Sequence, residues 1–225
     1  MQTEDKIELF KQTFSFWDKL SEDEKQIMLS STVDKIYKTG ENIYNDDESC
    51  VGALIVKSGQ IRVFMLSTEG REITLFRLLQ GELCVLSASC VLKNITFKVN
   101  IDVIEDAEVI ILRSSEFSRL MDENVYVENF FTKIIADRFS KTMWVMEQVL
   151  FMKFDKRLAL FLIDESENLG SDVINLTHEQ IARYTSSARE VVSRMLKYFE
   201  KENIIKTSRG KIKIIDRNKL AEYAD

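Results

Sequence analysis

The sequence predicts a mixed α+β chain: an antiparallel β-rich first half, one long helix, and a C-terminal group of short helices closed by a β-hairpin. Three observations predict it. Five of the seven glycines lie between Gly40 and Gly81, and none then appears until Gly170. Apolar residues alternate over short runs from Val33 to Leu112 and recur at steps of three and four after it. Charge divides as well: residues 1–152 hold 17 basic against 25 acidic residues, whereas Lys153–Asp225 hold 14 against 12.

The opening segment, Ile7–Ser31, reads as helical because Phe10, Phe14, Trp17 and Leu20 fall on one face. Ser21 with Glu24 three residues on is a capping-box pattern for a second short helix. From Val33 to Leu112 the runs Ala53–Val56, Gln60–Leu66, Ile73–Leu79, Lys98–Ile104 and Val109–Leu112 read as strands. Ser58-Gly59, Thr68-Glu69-Gly70, Gln80-Gly81 and Glu105-Asp106 read as the turns between them. Short strands near ten-residue spacing predict an antiparallel sandwich or barrel.

From Ser115 to about Phe154 the pattern is one long helix. Val127, Phe131, Ile134/Ile135, Arg138, Thr142, Val145, Val149 and Met152 form a heptad-like seam for a partner helix, with Arg138 and Thr142 as polar interruptions. A helix at Phe154–Glu167 then ends near Leu169-Gly170.

Leu176–Glu202 carries the chemistry. Thr177 with Gln180 caps a helix over His178–Tyr184, Thr185-Ser186-Ser187 forms a turn, and Ser187 is placed to cap a helix over Ala188–Lys201. Val191, Val192, Met195, Leu196 and Phe199 supply its apolar face; Arg189, Glu190, Ser193, Arg194 and Lys197 lie off it. Two helices joined by three polar residues have the dimensions of a helix-turn-helix, whose second helix enters the DNA major groove. Arg189 and Arg194 are candidate readers of guanine, and Glu190 of a cytosine amino group. Thr177, Thr185, Ser186, Ser187, Ser193, Lys197, Arg209 and Lys211 are candidate phosphate contacts, the last two on a basic hairpin at Ile204–Ile215 that also carries Lys206 and Lys213. The formal charge of −6 does not exclude DNA, because Ile181–Lys219 hold 11 basic against 4 acidic residues, a local +7.

Nearly the whole chain resembles the Crp/Fnr family of bacterial transcription regulators. The resemblance rests on Lys38-Thr39-Gly40-Glu41, Ala53–Gly59, Ile61-Arg62-Val63, Glu69-Gly70-Arg71-Glu72 and Gln80-Gly81-Glu82-Leu83. It rests also on Ser187-Ala188-Arg189-Glu190-Val191-Val192-Ser193-Arg194, which is similar to the family's S-R-E-T-V-x-R pattern, with Val192 as a departure. It implies an antiparallel β-roll (double-stranded β-helix, jelly-roll-like) sensor domain over 1–114, a dimerisation helix over 115–153 carrying Val127, Phe131, Ile135, Arg138, Thr142, Val145 and Val149, and a winged helix-turn-helix over 154–225. It implies a homodimer on palindromic double-stranded DNA, with RNA polymerase as a further partner and Arg189, Glu190 and Arg194 as base readers.

The same resemblance locates an effector pocket at Gly81, Glu82, Leu83, Cys84, Val85, Leu86, Phe97 and Lys98. The family's cyclic-nucleotide cassette needs a Gly-Glu pair for the ribose and an Arg-Ser pair for the phosphate; Val85-Leu86 and Ile95–Lys98 (ITFK) stand there instead. A phosphodiester without a cationic fork is poorly compensated, which argues against a cyclic nucleotide. Three cysteines cannot supply a four-thiolate cluster, and Cys50, Cys84, Cys90 and the single His178 lack zinc-site spacing, so no metal or cofactor is expected. Cys84 and Cys90 leave a thiol redox sensor as an alternative, and protein-protein action of the β-roll module is another. No phosphate loop or nucleophile–histidine pattern points to an enzyme. The first residues lack the order of a secretory signal and no apolar run is long enough to span a bilayer, so a cytoplasmic protein with no membrane partner is expected.

Overall fold

In the computed structural model, residues 3–44, 52–85 and 99–224 are described. The chain divides into two compact units, Met1–Leu66 with Leu75–Thr142, and Ser67–Thr74 with Met143–Asp225.

The first unit opens with α1 (Thr3–Thr13), a 3-10 turn at Trp17–Lys19 and α2 (Glu22–Ser30). The expected capping box is present: Ser21 Oγ accepts from Glu24 N at 3.2 Å and Glu24 accepts from Ser21 N at 2.7 Å. The sheet comprises β1 (Thr32–Tyr37), β2 (Asn42–Tyr44), β3 (Ala53–Leu66), β4 (Glu72–Leu78), β5 (Leu83–Cys84) and β6 (Asn100–Leu112). Its order is β1-β6-β3-β4, with β2 on β6 and β5 on β3. This is a β-roll built from two long antiparallel strands, β3 and β6, and shorter ones around them.

Two expected turns lie inside those long strands. Ser58-Gly59 falls within β3, where the register against β6 shifts between Val56 and Ile61. Glu105-Asp106 falls within β6. Each is an irregularity that bends a strand without ending it. Gly59 has φ +80, and a Cβ there would overlap the Asp106 carbonyl, so the close approach of the two strands requires glycine. Arg62 and Asp102 face each other across β3 and β6, and the guanidinium reaches both carboxylate oxygens at 3.0 and 2.7 Å.

The expected single helix after the sheet is two: α3 (Ser114–Glu123) and α4 (Val125–Phe151). Asn124 breaks the run, and its Oδ1 accepts from Tyr126 N at 3.0 Å to start α4. The core gathers Phe10, Phe14, Phe16 and Trp17 against Val127 and Phe131 of α4 and against Ala53, Ile55 and Ile110 of the sheet.

The second unit contains α5 (Phe154–Leu169), β7 (Val173–Ile174), α6 (His178–Tyr184), α7 (Arg189–Lys201), β8 (Ile205–Ser208), β9 (Lys211–Ile214) and α8 (Arg217–Ala224). Gly170 closes α5 in the left-handed conformation at φ +58. The three strands order β7-β9-β8. Along β9, Ile212 and Ile214 turn inward while Lys211 and Lys213 are exposed. Those isoleucines join Leu158, Leu162, Ile181, Val192, Leu196 and Phe199 in one core.

Candidate nucleic-acid interface

Local chemistry fixes the α6–α7 pair. Thr177 caps α6: its hydroxyl accepts from Gln180 N at 3.2 Å, and Gln180 Oε1 accepts from Thr177 N at 2.8 Å. The chain then turns through Ser186, whose φ of +51 lies in the left-handed region that costs a serine roughly 1–2 kcal/mol. Ser187 N donates to Ala182 O at 2.9 Å, closing the turn. Ser187 does not cap α7. The cap position is Ala188, with no side-chain bond, so the first N–H groups of α7 carry no capping side chain.

At about 100° per residue, α7 has two faces. Val192, Leu196 and Phe199 are fully buried. Glu190, Arg194 and Lys197 are exposed on the opposite side, and Arg189 is exposed at the first turn of the helix. The three candidate base readers and one candidate phosphate contact are thus all open to solvent. Arg189 Nε lies 4.0 Å from Glu179 Oε2, a loose pair with both side chains about two-thirds exposed.

The expected phosphate contacts divide. Lys197, Arg209 and Lys211 are exposed, and Ser186 and Ser187 are half-buried. Thr185 is buried, and its hydroxyl donates to Ile181 O at 2.7 Å; it braces α6 from within and is not available to a phosphate. The Thr177 hydroxyl is committed to the capping box, donating to Gln180 Oε1 at 2.9 Å. Ser193 Oγ sits 2.9 Å from His178 Nδ1. The single histidine therefore ties α6 to α7. Sequence reasoning missed Glu200, which anchors the hairpin: it accepts from Thr207 N at 2.8 Å and from Thr207 Oγ1 at 3.0 Å. Those two bonds, the backbone one first, hold its carboxyl below the usual range.

In the β-roll, Gly81 at φ +84 turns the chain, and Gly81 N and Glu82 O pair with Val56. Leu83, Cys84 and Val85 are buried, so the Cys84 thiol is withdrawn from solvent. Leu86, Cys90, Phe97 and Lys98 lie outside the described residues.

The residues of the expected seam on α4 are not exposed together. Val127 and Phe131 are buried in the core of their own unit, Arg138 is buried beside Glu82 and Leu83, and Ile135 is half-buried against that core. Thr142 Oγ1 donates to Arg138 O at 2.8 Å, within the helix. Val145 and Val149 are half-buried. The apolar stripe left exposed is Phe139, Met143, Met146 and Leu150, at steps of four, three and four. The physical reason is that one helix carries two apolar faces, and the sequence pattern merged them.

The profile of the Crp-like helix-turn-helix domain matches residues 156–223, and that of the cyclic nucleotide-binding domain matches residues 34–124. A solved structure of a transcriptional regulator assigned to the Crp/Fnr family, from Eubacterium rectale, is 39% identical with a TM-score of 0.87, over 94% of this chain and 98% of that one. The transcriptional regulatory protein btr of Bordetella pertussis is 25% identical over 185 residues, 79% of this chain and 75% of that protein. The cyclic AMP receptor protein of Thermus thermophilus is 22% identical over 205 residues, 91% of this chain and 94% of that protein. Among the described residues no helix is long and apolar enough to cross a membrane.

Proposed function

Because this chain belongs to the Crp/Fnr family of transcription regulators, we propose that it is a homodimer that binds palindromic DNA sequence-specifically under the control of an effector at its β-roll. The observation that carries this is α7: a basic, exposed face opposite a fully buried apolar one, at the end of a capped helix and a closed turn. Arg189, Glu190 and Arg194 read base edges. Lys197, Arg209, Lys211, Ser186, Ser187 and the uncapped start of α7 hold phosphates.

The stripe Phe139, Met143, Met146 and Leu150 on α4 is the dimer contact, since its 4-3-4 spacing is that of a heptad seam and it is exposed in the single chain. The functional division is a sensor over 1–114, a dimer helix over 115–153 and a DNA-binding part over 154–225. A signal at the β-roll shifts the α4 pair and so sets the separation of the two α7 helices. RNA polymerase is the further partner of such a regulator.

Selection of binding sites from random duplex DNA tests the reading. Recovery of a two-fold symmetric site with half-sites about one helical turn apart is the expected result. Binding that shows no preference in sequence, or that is insensitive to salt, overturns it.

A further inference from the structure

The hairpin of β8 and β9 is fastened unevenly. At its base Ile205, Ile212 and Ile214 are buried in the core that also takes Phe199 of α7. Its outer half has no such hold: Lys206, Ser208, Arg209, Gly210 and Lys211 are all exposed. Ser208 pairs with Lys211, which leaves Arg209 and Gly210 as the tip. The two candidate phosphate contacts of the hairpin, Arg209 and Lys211, therefore lie on its least anchored part.

Glu200, in the last turn of α7, reaches that part directly. Thr207 N donates to its Oε1 at 2.8 Å, and the Thr207 hydroxyl lies 3.0 Å from Oε1 and 2.9 Å from Oε2. Thr207 is the residue before Ser208, where the exposed tip begins. In the order β7-β9-β8, β8 is an edge strand, and the N–H groups on its outer side meet no strand. The carboxylate supplies the acceptor there, and the bonds that hold its carboxyl below the usual range keep it an anion. Between helix and strand the chain turns through Asn203 at φ +57, and Ile204 N donates to Phe199 O at 2.9 Å. Recognition helix and hairpin are thus tied twice, once at the junction and once near the tip. An anion in a stretch of local +7 lowers the charge offered to phosphate, so attraction to DNA does not account for Glu200. Its hold on β8 does.

We infer that Glu200 is a positioning residue for DNA binding: through Thr207 it fixes the angle between α7 and the hairpin, so that Arg209 and Lys211 meet phosphates while α7 lies in the major groove. The inference rests on the DNA reading above and adds to it a residue that acts through the hairpin and makes no DNA contact of its own. Released from Glu200, the tip moves about its buried base, and both cations lose a fixed reach.

The test is equilibrium binding of the full chain and its variants to two duplexes, one recovered by selection and one unrelated, over a range of salt. Each phosphate contact contributes about 0.9 to the slope of log K against log salt, so two contribute about 1.8. Glu200→Ala should lose that slope at each half-site, which makes its affinity about 12-fold less sensitive per half-site to a rise from about 50 to 200 mM salt. It should weaken both duplexes alike and leave the preference among single-base variants unchanged. Removing an anion by charge alone acts in the opposite direction and tightens binding. Glu200→Gln keeps an amide oxygen for Thr207 N and should restore most of the slope. With Arg209→Ala and Lys211→Ala already in place, Glu200→Ala should change nothing further, because the contacts that it positions are gone. The inference is overturned if Glu200→Ala binds as tightly as wild type or more so, if its loss adds in full to that of the two cations, or if base preference shifts. Should Glu200→Ala fail to fold in a thermal melt, Thr207→Val decides: it keeps the N–H bond and loses the hydroxyl, a partial loss of slope supports the inference, and an unaltered slope overturns it. A wild type that selects a symmetric site while Glu200→Ala keeps its slope loses this inference and keeps the reading above. A wild type that binds every duplex alike while Glu200→Ala lowers the slope does the reverse.

Discussion

Arg189→Ala is the most informative single change. Among the described residues the Arg189 guanidinium pairs only with Glu179, at 4.0 Å with side chains 65% and 63% exposed. An exposed pair at that distance contributes about 0–1 kcal/mol, so little opposes its transfer to a base. A bidentate arginine–guanine contact discriminates by about 1–3 kcal/mol, or roughly 5- to 150-fold in affinity. The larger number wins, so the variant should lose that factor at one position of each half-site and leave other positions unchanged. Lys197 is the control. It lies about two turns further along α7 and is exposed, and as a phosphate contact its removal should weaken all sequences alike and reduce the salt slope by about 1. Competition binding against single-base variants of the selected site, at several salt concentrations, reads both effects. A uniform loss for Arg189→Ala, with an unaltered base preference, would refute base reading by this residue.

Three further outcomes follow from the geometry. Gly59→Ala should destabilise more than Gly40→Ala in urea unfolding. Both have positive φ, at +80 and +88, and each substitution costs about 1–2 kcal/mol on that account. Only Gly59 has backbone in the way, and parting β3 from β6 costs about 1 kcal/mol more per lost bond; equal losses would count against the bulge. Phe139→Glu with Leu150→Glu should turn the proposed dimer into a folded monomer in sedimentation, whereas Phe131→Ala should cost the fold about 3–5 kcal/mol; the reverse pattern would restore the sequence-based seam. Asp106 is held at about 2, against an ordinary 3.8, by bonds from the Lys38 ammonium and from the Thr39 N–H and hydroxyl. Its folded value is depressed, so its contribution is present above 3.8 and is lost as pH falls from 3.8 towards 2. Asp106→Asn should flatten that part of the stability–pH curve, and an unaltered curve would remove the assignment.

What was legible in the sequence was what is decided within a few residues. Thr177 with Gln180 and Ser21 with Glu24 cap their helices as read, and α6 runs over the residues expected. What was not legible is decided by distant partners. Ser58-Gly59 has turn composition but bends a strand, because Asp106, far away in sequence, packs against it. Thr185 has phosphate-binding chemistry but spends its hydroxyl on Ile181 O. Arg138 looked like an interruption in a dimer seam because periodicity places it on an apolar face without saying what that face meets. The pattern on α7 was clear by comparison, since Val192, Leu196 and Phe199 form one buried apolar stripe and its charged residues Arg189, Glu190, Arg194 and Lys197 are all exposed.

The chain contains a single histidine, and its imidazole bridges α6 to Ser193 on α7. Of its two carbon-bound ring protons, the one on Cε1 is therefore the single line of its type in a proton magnetic resonance spectrum and needs no mutant for its assignment. That line reports on the joint between α6 and α7. Adding duplex or a candidate effector and following one line is then enough to ask whether an event at the β-roll reaches the reading head.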